Sequence, residues 1–392
     1  MAITFQTIAQ QGADVFYRGE IALDIVATVV DTSGDITPGM LSLDDLRHYR
    51  SKKREAVCTR YRERYIICGM PPPSSGGITV ASAMGILENF DLSWYAPADM
   101  DQNGGHPSVM GVHLVTEAER LAYADRNQYI ADTDFVSLPG GSWDTLLDKN
   151  YLVQRARLIS MNHSIGTAQH GNLALVASGA DRTAERGTSH MSIVDAEGNA
   201  VVMTTSVEAA FGSFHMTQSG FLLNNQLTDF SAVPRDSDGY PIANRLQPGK
   251  RPRSSMAPTL VFHTDDNGRP AELMMATGSP GGGAIIYYVI RALVGTLDWG
   301  LDVQQAISQI SFGAMNGVTT YVGGEHPLVN TADDGHHDPL VSGLRALGHT
   351  VSINAQSSGL GSIMRRAVNG KTILEGGADP RREGVVLGDV LQ

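Results

Sequence analysis

Thr188 heads a run of alternating residues, Ser189 to Val194, which the turn sequence Ala196-Glu197-Gly198-Asn199 joins to a second run, Ala200 to Val207. Alternation with period two predicts a β-hairpin centred near residue 197. Thr188 then falls opposite Ser206, and Thr204 shares their face. A threonine hydroxyl is a weak nucleophile until a base takes its proton, and a free α-amine on the same residue is one such base. Freeing that amine requires breaking the Gly187–Thr188 bond. A glycine before the attacking residue gives the backbone the freedom that an N→O acyl shift demands. Without further support, Gly-Thr entering a strand also fits an ordinary turn.

Other stretches offer complementary groups. Thr277-Gly278-Ser279-Pro280-Gly281-Gly282-Gly283 lies between a strand pattern and an apolar helix pattern. Consecutive glycine N–H groups at a helix N-terminus form an anion nest, suited to a phosphate or to the oxyanion of a tetrahedral intermediate. No Gly-Lys-Ser/Thr follows, which argues against a P-loop. Arg251-Pro252-Arg253-Ser254-Ser255-Met256-Ala257-Pro258-Thr259 places paired hydroxyls before a strand, where they can donate to a carboxylate. Asn224-Asn225-Gln226-Leu227-Thr228-Asp229 follows another short run, and Asp229 suits an ammonium group. Asp333-Asp334-Gly335-His336-His337-Asp338 holds ligand-type residues, but crowds them into one polar loop instead of drawing them from separated segments.

The elements that position these groups read as helices, then strands, then helices. Phe5–Glu20, continued by Ile21–Val30, and Leu43–Tyr49 after a Ser42 cap are helical patterns. Val57–Met70 reads as a hairpin turning at Tyr61–Arg64, with Cys58 and Cys68 about its midpoint. A cross-strand disulfide is awkward in geometry, so two buried thiols are expected over a bridge. Helices follow at Ile78–Asn89 and His113–Asn127, the latter with apolar positions at 114, 115, 118, 121 and 122. Residues 128–187 are rich in loops, and Ser178–Thr188 looks like an exposed linker. Strands are expected at Phe221–Asn224, Thr259–His263 and Glu272–Ala276, and helices at Ala284–Leu297 and Val303–Gln309. The order indicates an α+β layered sandwich. A net charge of −12 opposes nucleic-acid binding, and no 18-residue apolar run marks a membrane span.

Several of these stretches, in register, resemble the gamma-glutamyltransferase (gamma-glutamyl transpeptidase) family of N-terminal-nucleophile hydrolases. They are Thr188–Asp195, Gly220–Gln226, Asp229-Phe230-Ser231, Arg253–Thr259 and Thr277–Gly282. Met70–Gly77, Ala122-Tyr123-Ala124-Asp125-Arg126, Ser362-Ile363-Met364 and Ala378–Arg381 resemble it as well. The resemblance implies an αββα layered sandwich that lacks the first part of the large subunit. Residues 1–187 would be the C-terminal, mostly helical part of that subunit. Residues 188–392 would be the small catalytic subunit, and both parts would form one structural domain.

The roles it implies follow position by position. Thr188 matches the nucleophile exposed by self-cleavage after Gly187, with its amine as base, and Ser206 keeps a hydroxyl where the family has a threonine bonded to that nucleophile. Gly281 and Gly282 match the oxyanion hole. Ser254 and Ser255 match the pair that binds the donor α-carboxylate, and Asp229 the acid that holds its α-ammonium. Tyr240 falls at a lid position. Glu208 stands where Asn is usual, beside the ammonium, and Gln226 at a neighbouring Gln/Glu position. The family arginine that clamps the carboxylate has no match here, and Arg253 is the nearest substitute in sequence. The implied reaction is gamma-glutamyl transfer or hydrolysis on glutathione-type donors, with water, an amino acid or a peptide as acceptor and no metal or organic cofactor. Alternatives are an acylase on glutaryl or short dicarboxylic amides, or an uncleaved relative without activity. Family members are periplasmic or secreted; the N-terminus shows no signal peptide, which leaves the cytoplasm open.

Overall fold

The computed structural model describes residues 1–33, 37–173, 187–368 and 370–388. The chain divides into two compact units, one of residues 1–55 and 206–227, the other of residues 56–205 and 228–392.

The first unit is built on helices α1 (Ala2–Gln11), α2 (Asp14–Arg18), α3 (Glu20–Val30) and α4 (Leu43–His48). The single helix expected over Phe5–Glu20 is broken twice, at Gly12, whose φ is +80°, and at Gly19. Ser42 caps α4 as expected, its side chain and that of Asp45 exchanging bonds with each other's backbone. Val15, Ile21 and Ile25 form the small core, and Phe221 stacks on Phe16 from the 206–227 segment. The strand expected at Phe221–Asn224 is absent: Leu222 makes one isolated bridge, to Met216, after a turn at Gly220 with φ +85°.

The second unit is layered. Strands β1 (Val57–Tyr61) and β2 (Tyr65–Gly69) form the expected hairpin. Helices α5 (Gly76–Leu87), α6 (Val109–Tyr129) and α7 (Lys149–Ala156) follow, and then β3 (Ser189–Val194) and β4 (Ala200–Thr205). Next come β5 (Thr259–Thr264), β6 (Pro270–Thr277), α8 (Ile285–Leu297), α9 (Val303–Ser308), β7 (Phe312–Gly313) and β8 (Thr319–Gly323). The chain ends through α10 (Pro339–Ala346), β9 (Thr350–Asn354), β10 (Gly361–Val368) and β11 (Lys371–Ala378). The main sheet runs β1-β2-β5-β6-β10-β11, antiparallel throughout. Met84 and Leu87 of α5 and Ile286, Val289, Ile290 and Leu293 of α8 share one core with Val261 and Met275 of the sheet, and α6 packs against α5.

The β3–β4 hairpin packs on β6 and β10. Its register, Ser189↔Thr205 to Val194↔Ala200, is centred on residue 197 as the alternation predicts. The ladder stops at Thr205, short of the expected Val207; Glu208, with φ +72°, turns the chain just beyond. Its two faces are unlike. His190, Ser192, Val202 and Thr204 share one, whereas Met191, Ile193, Val201 and Met203 are about half-exposed on the other. A third, small sheet joins β7, β8 and β9, with α10 between the parallel strands β8 and β9.

The cysteines overturn one expectation. Cys58 and Cys68 face each other in the hairpin ladder and are joined as a disulfide, with Cα atoms 4.1 Å apart, near the surface. The expected linker is named only at its end, since residues 174–186 lie outside the described residues.

Ile290 is fully buried at the helix–sheet contact, whereas Ile193 is 54% exposed. Ile290→Ala is therefore expected to destabilise by about 2–5 kcal/mol, against under about 1 kcal/mol for Ile193→Ala. Urea unfolding midpoints of the two variants check this difference.

Candidate active site

At the head of β3, Gly187 has φ +80° and Thr188 has φ +131°. That angle costs a β-branched residue dearly, because Cβ crowds the backbone. One step on, His190 is held between layers. Its Nδ1 lies 2.8 Å from Thr204 Oγ1 and its Nε2 lies 3.1 Å from Ser192 Oγ. Ser192 Oγ donates to Gly361 O at 2.8 Å, so it accepts from Nε2–H, and Thr204 donates to Nδ1. The ring is thus neutral, and burial lowers its pKa from 6.5 to about 4. Gly278 lies flat on this ring: a Cβ there would stand 2.2 Å from His190.

The loop after β6 continues through Pro280 into Gly281 (φ +138°) and Gly282 (φ +59°), then a 3₁₀ turn, Gly282–Ala284, that feeds α8. A side chain at Gly281 would meet the Tyr288 ring at 2.6 Å. Both glycines are therefore required by the backbone path, and they sit where a helix begins, as an anion nest needs.

Asp229 and the serine pair are brought together by a residue that the sequence did not single out. Asn244, fully buried, donates to Asp229 O at 2.7 Å and accepts from Arg253 N at 2.9 Å. The Ser254 segment is pinned from the other side by the Pro71–Gly77 loop. Ser254 N donates to Pro73 O at 3.2 Å, Ser75 N donates to Ser254 O at 2.7 Å, and Ser74 Oγ donates to Met256 O at 2.6 Å. A Cβ on Gly76 would lie 2.5 Å from Met256 O. Ser254 Oγ accepts from Met256 N at 3.0 Å, and Ser255 Oγ accepts from Arg126. Both hydroxyls accept from protein donors, and among the described residues no acceptor takes their hydrogens.

Arg126 and Ser75 are likewise missed by reading from residue types. Both stood inside quoted motifs, but the contact spans 129 residues, from Arg126 to Ser255. Arg253 Nη1 donates to Arg126 O at 3.4 Å. Tyr240 is 46% exposed in a turn, where its N–H donates to Asp236 at 2.8 Å. The remaining residues lie in the first unit. Ser206 Oγ accepts from Glu208 N at 2.8 Å, Glu208 is buried and bonded to Asn225 Nδ2, and Gln226 N donates to Asn224 at 2.9 Å.

Among the described residues one group has donors close enough to hold a metal ion: His113, Glu117 and His349. Their atoms are already committed. His113 Nε2 donates to Ser160 O at 2.8 Å, so His113 Nδ1 accepts from His349 Nε2 at 2.7 Å. Glu117 accepts from Ser164 Oγ and Ile165 N and pairs with Arg120 at 3.3 Å. Burial, His113 and Arg120 together lower the His349 pKa to about 3. In the loop at 333–338, Asp338 caps α10 and Asp334 pairs with Arg345 at 2.7 Å.

The family pattern described as "Gamma-glutamyltranspeptidase" matches residues 1–389. The chain is 36% identical over 319 residues, 80% of its length, to "Glutathione hydrolase proenzyme" of Escherichia coli (strain K12). It is 31% identical over 400 aligned positions, 99% of its length, to the protein of the same name in Bacillus subtilis (strain 168). "Acylase ACY 1 proenzyme" of Pseudomonas sp. (strain V22) is 30% identical over 78% of the chain. The chain spans 50%, 61% and 48% of the length of these relatives. In fold it is similar to "Crystal structure of cephalosporin acylase from Bacillus halodurans", with TM-score 0.77 and 24% identity over 100% of this chain and 62% of that one.

Since folding lowers the His190 pKa, the unfolded chain binds its proton first. The stability from neutral His190 is complete above pH 6.5 and is lost as pH falls toward 4, by roughly 2–3 kcal/mol. Comparing unfolding free energies of wild type and His190→Asn at pH 7 and pH 4.5 checks this; the wild type should lose more.

Proposed function

This chain belongs to the gamma-glutamyltranspeptidase family, and from that premise we propose that it cleaves itself at Gly187–Thr188 and then transfers or hydrolyses gamma-glutamyl groups. The observation that carries this reading is the backbone at the bond to be broken. A threonine at φ +131° after a glycine at φ +80° stores strain of order 1–3 kcal/mol. Attack by Thr188 Oγ on the Gly187 carbonyl relieves it. The N→O shift gives an ester, and water hydrolyses this to a Gly187 carboxylate and a free Thr188 amine. The pieces, residues 1–187 and 188–392, then serve as large- and small-subunit parts.

In turnover the Thr188 amine takes the Oγ proton as Oγ attacks the donor's γ-amide. Gly281 and Gly282 N–H groups receive the oxyanion, the amine product leaves with the proton, and a threonyl ester remains. Water or the amine of an acceptor then resolves the ester. Ser254 and Ser255 donate to the donor's α-carboxylate, and Asp229 holds its α-ammonium. Tyr240 covers the donor as a lid. Relatives named as acylases favour a second reading, amide hydrolysis on donors without an α-amine. The carboxylate of Asp229 separates the two.

Wild type is expected to run as two pieces of 187 and 205 residues on a denaturing gel, and Thr188→Ala as one chain. Two bands in the variant would remove Thr188 from the mechanism. For Asp229→Ala, kcat/KM should fall about 10- to 150-fold with gamma-glutamyl anilides and far less with glutaryl anilides. Equal losses with both donors would leave Asp229 a loop support and favour the acylase reading.

A further inference from the structure

Arg126 lies near the C-terminal end of α6, only 4% exposed, with its guanidinium 5.6 Å from the centre of the Tyr123 ring. Nε donates to Ser75 Oγ at 2.8 Å, Nη1 to Asn127 Oδ1 at 3.0 Å, and Nη2 to Ser255 Oγ. A guanidinium has donors only and keeps its charge, so both serine oxygens must accept. Their hydrogens then face different fates. Ser75 sends its hydrogen to Ser254 O at 2.8 Å, which fixes the backbone of the pair. Among the described residues, Ser255 has no acceptor for its own.

We propose that Arg126 is the positioning residue of a carboxylate-binding corner: it orients the Ser255 hydroxyl directly and, through Ser75, fixes the Ser254 backbone, while Met256 N sets the Ser254 hydroxyl, so that both hydroxyls point their hydrogens at one anion. This rests on the donor-binding role given above to Ser254 and Ser255. It adds the cation that makes the corner selective for a carboxylate over a neutral amide. A hydroxyl that accepts from a guanidinium is polarised into a stronger donor, and the fixed positive charge stands one hydroxyl away from the bound anion. The sequence alone offers Arg253 for this work, but among the described residues the guanidinium seen bonded to a hydroxyl of the pair is that of Arg126.

The test compares a gamma-glutamyl anilide that has a free α-carboxylate with its α-carboxamide counterpart, on wild type, Arg126→Gln and Arg126→Lys. All are first scored for self-cleavage. With the carboxylate donor, Arg126→Gln should raise KM about 10-fold or more while kcat stays within about threefold. With the carboxamide donor, KM should barely move. Arg126→Lys, which keeps the charge but not the fork, should recover part of the affinity. Equal losses on the two donors, or no loss, would overturn the proposal. If Arg126→Gln does not yield folded protein, Ser75→Ala decides: a KM increase of about threefold or more confined to the carboxylate donor supports it, and an equal change on both overturns it. A wild type that cleaves itself yet turns over neither donor would instead defeat the gamma-glutamyl reading, which keeps the two failures apart.

Discussion

Helix α6 carries Glu117, Glu119, Arg120, Asp125 and Arg126 into the interior, each 4% exposed or less. Burying a charge is tolerable only when ion pairs and hydrogen bonds replace its water. Each of these side chains therefore fixes something else. Glu119 accepts from Ala314 N, and Arg120 reaches Gly166 O and Thr320 Oγ1. Asp125 accepts from Tyr151 and Gly171 and pairs with Arg155 at 3.4 Å. Burial pushes the Asp125 carboxyl up, against the opposing pull of Arg155 and the Tyr151 hydroxyl. The loops flanking β7 and β8, the segment at 164–171 and the serine corner all take their places from one helix.

The candidate site thus depends on two kinds of support. On one side, polar groups with fixed donor and acceptor roles hold Ser254, Ser255 and Asp229 by their backbones, through Asn244, Ser74 and Ser75. On the other, absent side chains allow the backbone to pass where it must. Gly278 rests on the His190 ring, Gly76 on Met256 O, and Gly281 beside Tyr288. A polar ligand can be gripped by hydroxyls only if the protein has already chosen which way their hydrogens point. Here Met256 N and Arg126 make that choice.

Local pattern was enough to expose the hairpin: turn residues at 196–199 and period-two alternation located its centre and gave Thr188 the parity of His190 and Thr204. The helix starting after the glycine run was legible for the same reason, an apolar run with a clear N-terminal signal. What stayed hidden depends on distance or on partners. The breaks at Gly12 and Gly19 look like tolerated helix glycines until their backbone angles are known. The disulfide looked awkward because cross-strand geometry is narrow, yet the register sets Cys58 and Cys68 directly opposite. The main sheet draws β10 and β11 from more than 80 residues beyond β6, and no local pattern announces such a pairing. Arg126 is one charge among several on a helix; its contacts with Ser75 and Ser255 span 51 and 129 residues, beyond any local pattern.

The β3–β4 hairpin wears its polarity reversed, with His190, Ser192 and Thr204 turned toward the main sheet and Met191, Ile193, Val201 and Met203 turned out. Parity in a strand is all or nothing: a slip of one residue exchanges the two faces completely. One inserted residue between Thr188 and His190 would separate them in parity, so that only one could keep its present side. The turn closed by Asp195 and Asn199 lies outside that constraint, exposed and bonded mainly to itself. For protein engineering the two ends of the hairpin are therefore opposites: the turn is a place for insertions or labels, and the threonine end tolerates no change of length.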